Sequence, residues 1–162
     1  MFYDKDDDSG FWWLFVAMPL ALIGAFTFRV LNPPKQPPPP NKAVVFGCYT
    51  AESGPPILID SAGVHIMQPG LPTVPFDLVK YKTGYAVTLD QSITFRRTRT
   101  GLAYSIGRSA GGTNWNFFHE VDGQRYGVID EIGLNAFTTL GHDWTIASYF
   151  RSSDAACSTR AS

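Results

Sequence analysis

Only two cysteines, Cys48 and Cys157, occur in the 162 residues. That count excludes a disulfide-dense scaffold and a four-cysteine zinc site, and permits one bridge. Charge of one sign is equally scarce: 13 basic against 14 acidic side chains leave a formal net charge of −1. No long-range field therefore exists to draw nucleic acid, and any charged partner needs a local patch. The three histidines, His65, His119 and His142, are too widely spaced for a local metal motif, and HExxH is missing. Neither an internal repeat nor a βαβ alternation is present, which argues against a solenoid and against a doubly wound nucleotide-binding sheet. No cofactor and no metal are expected.

What the chain does have is one long apolar run, Phe11 to Leu31, FWWLFVAMPLALIGAFTFRVL. From Phe11 to Phe28 there are 18 residues without a charged side chain. As a helix they would cover about 27 Å, one crossing of a bilayer. The preceding tail, residues 1–10, is acidic, which is wrong for the n-region of a cleaved signal peptide. The segment is therefore read as a retained transmembrane anchor in the lipid bilayer, with Trp12 and Trp13 at one interface and Arg29 snorkelling toward the other. Ala17, Ala21, Gly24 and Ala25 recur at helical spacing and give a face of small residues where a second membrane helix could approach, so a membrane-protein partner is expected.

Basic residues counted literally, Arg29, Lys35 and Lys42 against Lys5, put the large domain in the cytoplasm. That rule loses force when one flank is a whole domain, and a proline-rich spacer with one possible disulfide suits an oxidising compartment. The expectation is a single pass of the cell (inner) membrane with the domain on the exported, periplasmic side.

The linker, residues 32–42, begins NPPKQPPPPN, with six prolines in ten positions. Such a run cannot supply backbone donors for helix or sheet, and predicts a polyproline II rod of about 30 Å. Its PxxP spacings would also suit an SH3-like groove, a permissive motif that carries little weight.

After residue 42 the apolar period becomes two, and turn residues arrive every eight to twelve positions. The spacing predicts strands over 43–50, 57–59 and 64–67, 76–82 and 85–89, 93–97 and 102–106, 115–121 and 125–129, and 144–150. Asp122-Gly123 is the clearest hairpin turn. Asp130 to Leu140 reads as a short helix capped by Asp130 and ended by Gly141. The fold class is thus mainly β: an N-terminal transmembrane helix, a Pro-rich linker, and a small antiparallel sandwich or half-open barrel over residues 43–150, followed by a tail, 151–162.

Chemistry is sparse. Gly107-Arg108-Ser109-Ala110-Gly111 matches the G-x-S-x-G nucleophile elbow, and Asp130 and His142 follow in the order Ser, Asp, His. The elbow needs a helix after the serine, whereas here a glycine-rich loop leads into a strand, so a tethered serine hydrolase stands only as an alternative. By strand parity His65 faces solvent and His119 shares a side with Trp115 and Phe117, which predicts partial packing. Arg96, Arg97, Arg99 and Arg108 form the basic cluster, a candidate contact for phosphate or lipid head groups, or an edge-strand guard. A second alternative, a barrel holding a small apolar ligand, rests on Trp115, Phe117, Phe118, Tyr126 and Trp144, which are more often simply core. The composition and motifs favour a non-catalytic binding or assembly module.

Overall fold

Alternating apolar side chains build strands because one face of each can then be buried while the other stays wet. The computed structural model describes residues 38–107 and 112–158. The run 11–31, including Ala17, Ala21, Gly24 and Ala25, lies outside the described residues, among which no helix is long and apolar enough to cross a membrane.

Eleven strands are seen among the described residues: β1 Gly47–Thr50, β2 Ile57–Ile59, β3 Val64–Ile66, β4 Phe76–Tyr81, β5 Gly84–Leu89, β6 Ile93–Thr98, β7 Gly101–Ile106, β8 Thr113–Val121, β9 Gln124–Gly127, β10 Ala136–Leu140 and β11 Ile146–Ser152. A short helix, α1, Ala155–Ser158, follows. The main sheet runs β3-β2-β1-β11-β10-β8-β5-β4, with β9 attached to β8. An antiparallel bridge between Val64 and Val74 ties β3 to the segment entering β4, so the two ends of the sheet meet. The result is a nearly closed antiparallel barrel. The β6–β7 hairpin is separate and buries Ile93, Phe95, Leu102 and Tyr104 in the same core.

Aromatic packing dominates that core. Trp115 stacks on Phe137 at 5.1 Å, and Phe137 on Tyr149 at 5.4 Å, in a row across β8, β10 and β11. Each fully buried ring of this size contributes about 1.5–3 kcal/mol. Tyrosines inside the barrel need partners for their hydroxyls. Tyr49 donates to the Val45 carbonyl at 2.9 Å, and Tyr104 shares a 2.8 Å bond with the Thr139 hydroxyl. Burial pushes the phenols of Tyr49 and Tyr104 up to about 12, with Arg151 opposing the rise at Tyr49.

The hairpins 57–59/64–66, 93–98/101–106 and 113–121/124–127 form as the alternation predicts. Four local expectations are corrected. The first strand begins only at Gly47, because Asn41 caps a 3-10 turn over Lys42–Val45 and drives Val45 into the core. Asp130 to Leu140 is not a helix: Asp130 caps a 3-10 turn of only three residues, Glu131–Gly133, and Ala136–Leu140 is a strand between β8 and β11. Pairing of Phe137 with Phe117 and Tyr149, together with β-branched Thr138 and Thr139, overrides the helical spacing. His119 is exposed rather than packed, because β8 leaves the barrel after Phe118 and beyond that point pairs only with β9. Trp144 does not begin the last strand; with φ 63° it sits in a turn, 82% exposed, where Asp143 accepts from the Thr145 amide and hydroxyl.

Candidate functional site

Outside the barrel, β8, β9, β10 and the β4–β5 turn enclose an open groove of about 240 Å³. Its floor is Asn116 and Thr138, which are register partners on β8 and β10 and point away from the core. One wall is the β8–β9 hairpin, with Phe118 and Arg125 on its groove face and the Tyr126 ring on the other face beside His119; Tyr81 and Thr83 border the groove from the β4–β5 turn, and Ile146 also lines it.

The hairpin wall is placed by local chemistry. Asp122 and Gly123 both take positive φ, 52° and 75°, as a two-residue primed turn requires. At the base of β9, Gly127 passes so close to the Thr83 carbonyl that any side chain there would collide with it. Just beyond, Tyr85 donates its amide to the Val128 carbonyl at 3.1 Å. The wall is thus locked to the rim of β5. On its inner side the Arg125 guanidinium lies 4.8 Å from the Phe118 ring centre, with Nε 3.7 Å from Glu120, and Phe118 meets Phe150 edge-on at 5.9 Å. Tyr126 stacks on His119 at 5.7 Å and donates its hydroxyl to Gln124 at 2.7 Å.

Large apolar groups are left exposed around this groove: Tyr81 at 44%, Tyr126 at 48%, Phe150 at 50% and Ile146 at 55%. In this strand geometry an exposed aromatic costs more solvation than a polar side chain, and clusters of them mark contact surfaces.

The residues singled out in the sequence do not converge on one another. Asp130 is engaged as a cap, accepting from the Gly133 amide at 3.3 Å, and precedes β10; His142 follows β10 and donates its amide to the Phe95 carbonyl. The two therefore stand beyond opposite ends of a five-residue strand. Ser109 and Arg108 lie outside the described residues. Arg96, Arg97 and Arg99 are exposed at the β6–β7 tip, whereas Gly107 sits against Ser92 at the other end of that hairpin. Hydrogen bonds from Thr145, with the charge of Arg97, hold the Asp143 carboxyl below its ordinary range.

Cys48 and Cys157 are joined by a disulfide, with their Cα atoms 5.9 Å apart, which pins α1 to β1. Trp115 and Phe117 face the core while Phe118 faces out, so the five aromatics suggested for an apolar-ligand cavity do not line one. His65 is half-buried: its Nε2 donates to Asp60 at 3.0 Å, and its Nδ1 meets the Thr73 hydroxyl at 3.0 Å. This chain of bonds fastens the barrel seam next to the Val64–Val74 bridge. Among the described residues no cluster of histidine, cysteine and carboxylate side chains could hold a metal ion.

Tyr81, Asn116 and Arg125 were not singled out in the sequence, and Tyr126 was named only among the aromatics of an apolar-ligand cavity. Parity alone puts Asn116 and Thr138 on the wet face, but their adjacency needs the β8–β10 register, which no short-range pattern encodes. Compared with known proteins, the chain matches no family model, no curated protein and no solved structure.

Proposed function

We propose that the protein is a membrane-anchored, non-catalytic binding or assembly module, an accessory component of a membrane-associated complex, with its β domain on the exported side. The apolar run 11–31 and the proline-rich composition of the spacer support the tether. The observation that carries the binding role is the outer groove, where the exposed Tyr81 and Ile146 border a polar floor on a barrel whose own core is already filled. The Cys48–Cys157 bridge supports the exported side, since such bonds persist in oxidising compartments.

The test is affinity capture of the full-length protein from membranes in mild detergent, beside a Tyr81→Ala/Asn116→Ala variant. The wild type should recover a defined partner in constant ratio, and the variant should lose it while staying folded. Recovery of the wild type alone, repeatedly and after crosslinking, overturns the proposal.

A further inference from the structure

We infer that the tip of the β6–β7 hairpin and the neighbouring turn after β10 form a second surface, which docks end-on into the head-group layer of a phospholipid bilayer. The inference rests on the anchored reading above, which keeps a bilayer within reach of the domain, and adds what the domain does there.

The fold brings the two tips together. Gly141 pairs with Phe95 in a parallel bridge, and the His142 amide donates to the Phe95 carbonyl at 2.8 Å. From that bridge both segments run on in the same direction, one through Arg96 and Arg97 to the turn at Arg99, the other to Trp144. The second turn is held by its own bonds. The Gly141 amide donates to the Thr145 carbonyl at 2.8 Å, the Trp144 amide to the Gly141 carbonyl at 3.2 Å, and the Thr145 hydroxyl to Asp143 at 2.6 Å. At φ 63° Trp144 is in the left-handed region, a costly place for a bulky residue, and these bonds keep it there with its indole almost wholly exposed. Leu140, 39% exposed, stands behind it at the end of β10.

The arginines are not explained as guards against edge-to-edge pairing, because the backbone edges of this hairpin are occupied. Phe95 is bonded to His142, the Leu102 amide to the Ser53 carbonyl at 2.8 Å, and Tyr104 to both ends of the Gln68 amide at 2.8 and 2.9 Å. Arg96, Arg97 and Arg99 are exposed, and none forms an ion pair among the described residues. By strand alternation Arg96 and Arg97 stand on the two faces of the hairpin, with Arg99 at its turn, so they flank the tip when it meets a surface end-on. Asp143, which feels the charge of Arg97, and Glu52, beside Thr100, offset part of this charge. The attraction is therefore short-ranged, guanidinium fork to phosphate diester, and needs a tip already brought to the lipid. A tether supplies that proximity. An exposed indole beside guanidinium groups suits the head-group layer, where amphipathic rings collect and phosphates lie alongside.

The test is the full-length protein in maltoside micelles and in vesicles of equal phosphatidylcholine and phosphatidylglycerol, with the Trp144 emission taken as wild type minus Trp144→Phe. In micelles acrylamide should quench that emission freely; in vesicles it should be shielded from acrylamide and quenched by brominated lipid. Each arginine changed to glutamine should lower the docked-to-free ratio about fivefold, and Arg96→Gln/Arg97→Gln/Arg99→Gln should restore acrylamide quenching at an unchanged melting temperature. Equal acrylamide quenching in micelles and vesicles, or equal shielding in the triple variant, overturns the inference. So does shielding in micelles by inorganic phosphate or polyglutamate, which would make the surface a site for a free anion or an acidic chain. Retention on vesicles through an alkaline carbonate wash reports the anchor separately. Retention with Trp144 open to acrylamide removes the docking and leaves the anchor; release after Trp144 was shielded removes the anchor and leaves the docking.

Discussion

Breaking the Cys48–Cys157 bridge should lower stability more than any other single change in the domain. The cross-link spans 109 residues of sequence, from β1 to α1, and so closes almost the whole barrel into one loop. On the chain-entropy account, a loop of that size restricts the unfolded chain enough to stabilise the fold by about 5 kcal/mol. That is a large part of the roughly 5–15 kcal/mol that holds an ordinary domain together. With a urea dependence of about 1–3 kcal/mol/M, the midpoint should fall by about 2–5 M. The native state should change little, since α1 packs on β1 at the edge of the core and the row Trp115, Phe137, Tyr149 lies elsewhere. The assay is urea unfolding followed by tryptophan fluorescence, with Trp115 fully buried as the reporter, on oxidised protein, on reduced protein and on a Cys48→Ala/Cys157→Ala variant. The last two should coincide and lie well below the first. Coincidence of all three curves would refute the bridge and remove the support it lends to an exported domain.

Two further perturbations probe the seam and the wall. Gly127→Ala should cost about 2–4 kcal/mol, because the new methyl meets the Thr83 backbone and neither strand can yield without breaking its pairing, and thermal melting reports it. Asp60 is pushed up by burial, but hydrogen bonds from His65 and the Ala62 and Gly63 amides, with the charge of His65, hold its carboxyl below the ordinary 3.8. A depressed folded pKa means stability that is present above the unfolded value and lost as pH falls through the folded one. Stability measured from pH 6 down to pH 2 should therefore fall less steeply in Asp60→Asn than in the wild type, and identical slopes would show that the seam bonds contribute nothing.

How much of this was legible in the sequence depends on whether the deciding contact is local. The β8–β9 hairpin is written in Asp122-Gly123, whose positive φ angles follow from residue type alone. The hairpin across Gly101 and the one across Asp60 to Gly63 are of the same kind, with the Asp60 side chain accepting from the Ala62 amide at 2.7 Å. Asp130 is half legible: its role as a cap is local and correct, but the strand Ala136–Leu140 that follows is decided by pairing with Phe117 and Tyr149, both more than ten residues away in sequence. His119 was misplaced for a related reason. Parity along β8 holds only while both neighbours are barrel strands, and nothing near Phe118 in the sequence announces that β10 stops there. The groove was illegible because its parts come from six strands, β4, β5, β8, β9, β10 and β11, whose adjacency is a property of the closed sheet.

The break at Phe117–Phe118 explains why the barrel has a groove at all. Two adjacent rings face opposite ways from one strand: Phe117 packs edge-on against Phe137 in the core at 5.7 Å, and Phe118 packs outward against Phe150 and under Arg125. The inward ring holds β8 in the barrel up to that point, and the outward ring supports the hairpin where the strand departs. Wall and core are thus anchored by different side chains on either side of one peptide bond. Because Tyr81, Asn116 and Thr138 line the groove but do not belong to the buried cluster, substitutions there should leave the domain folded. A surface that can be altered independently of the fold is what a recognition role requires, and it makes loss of partner with retention of structure the outcome that separates recognition from packing.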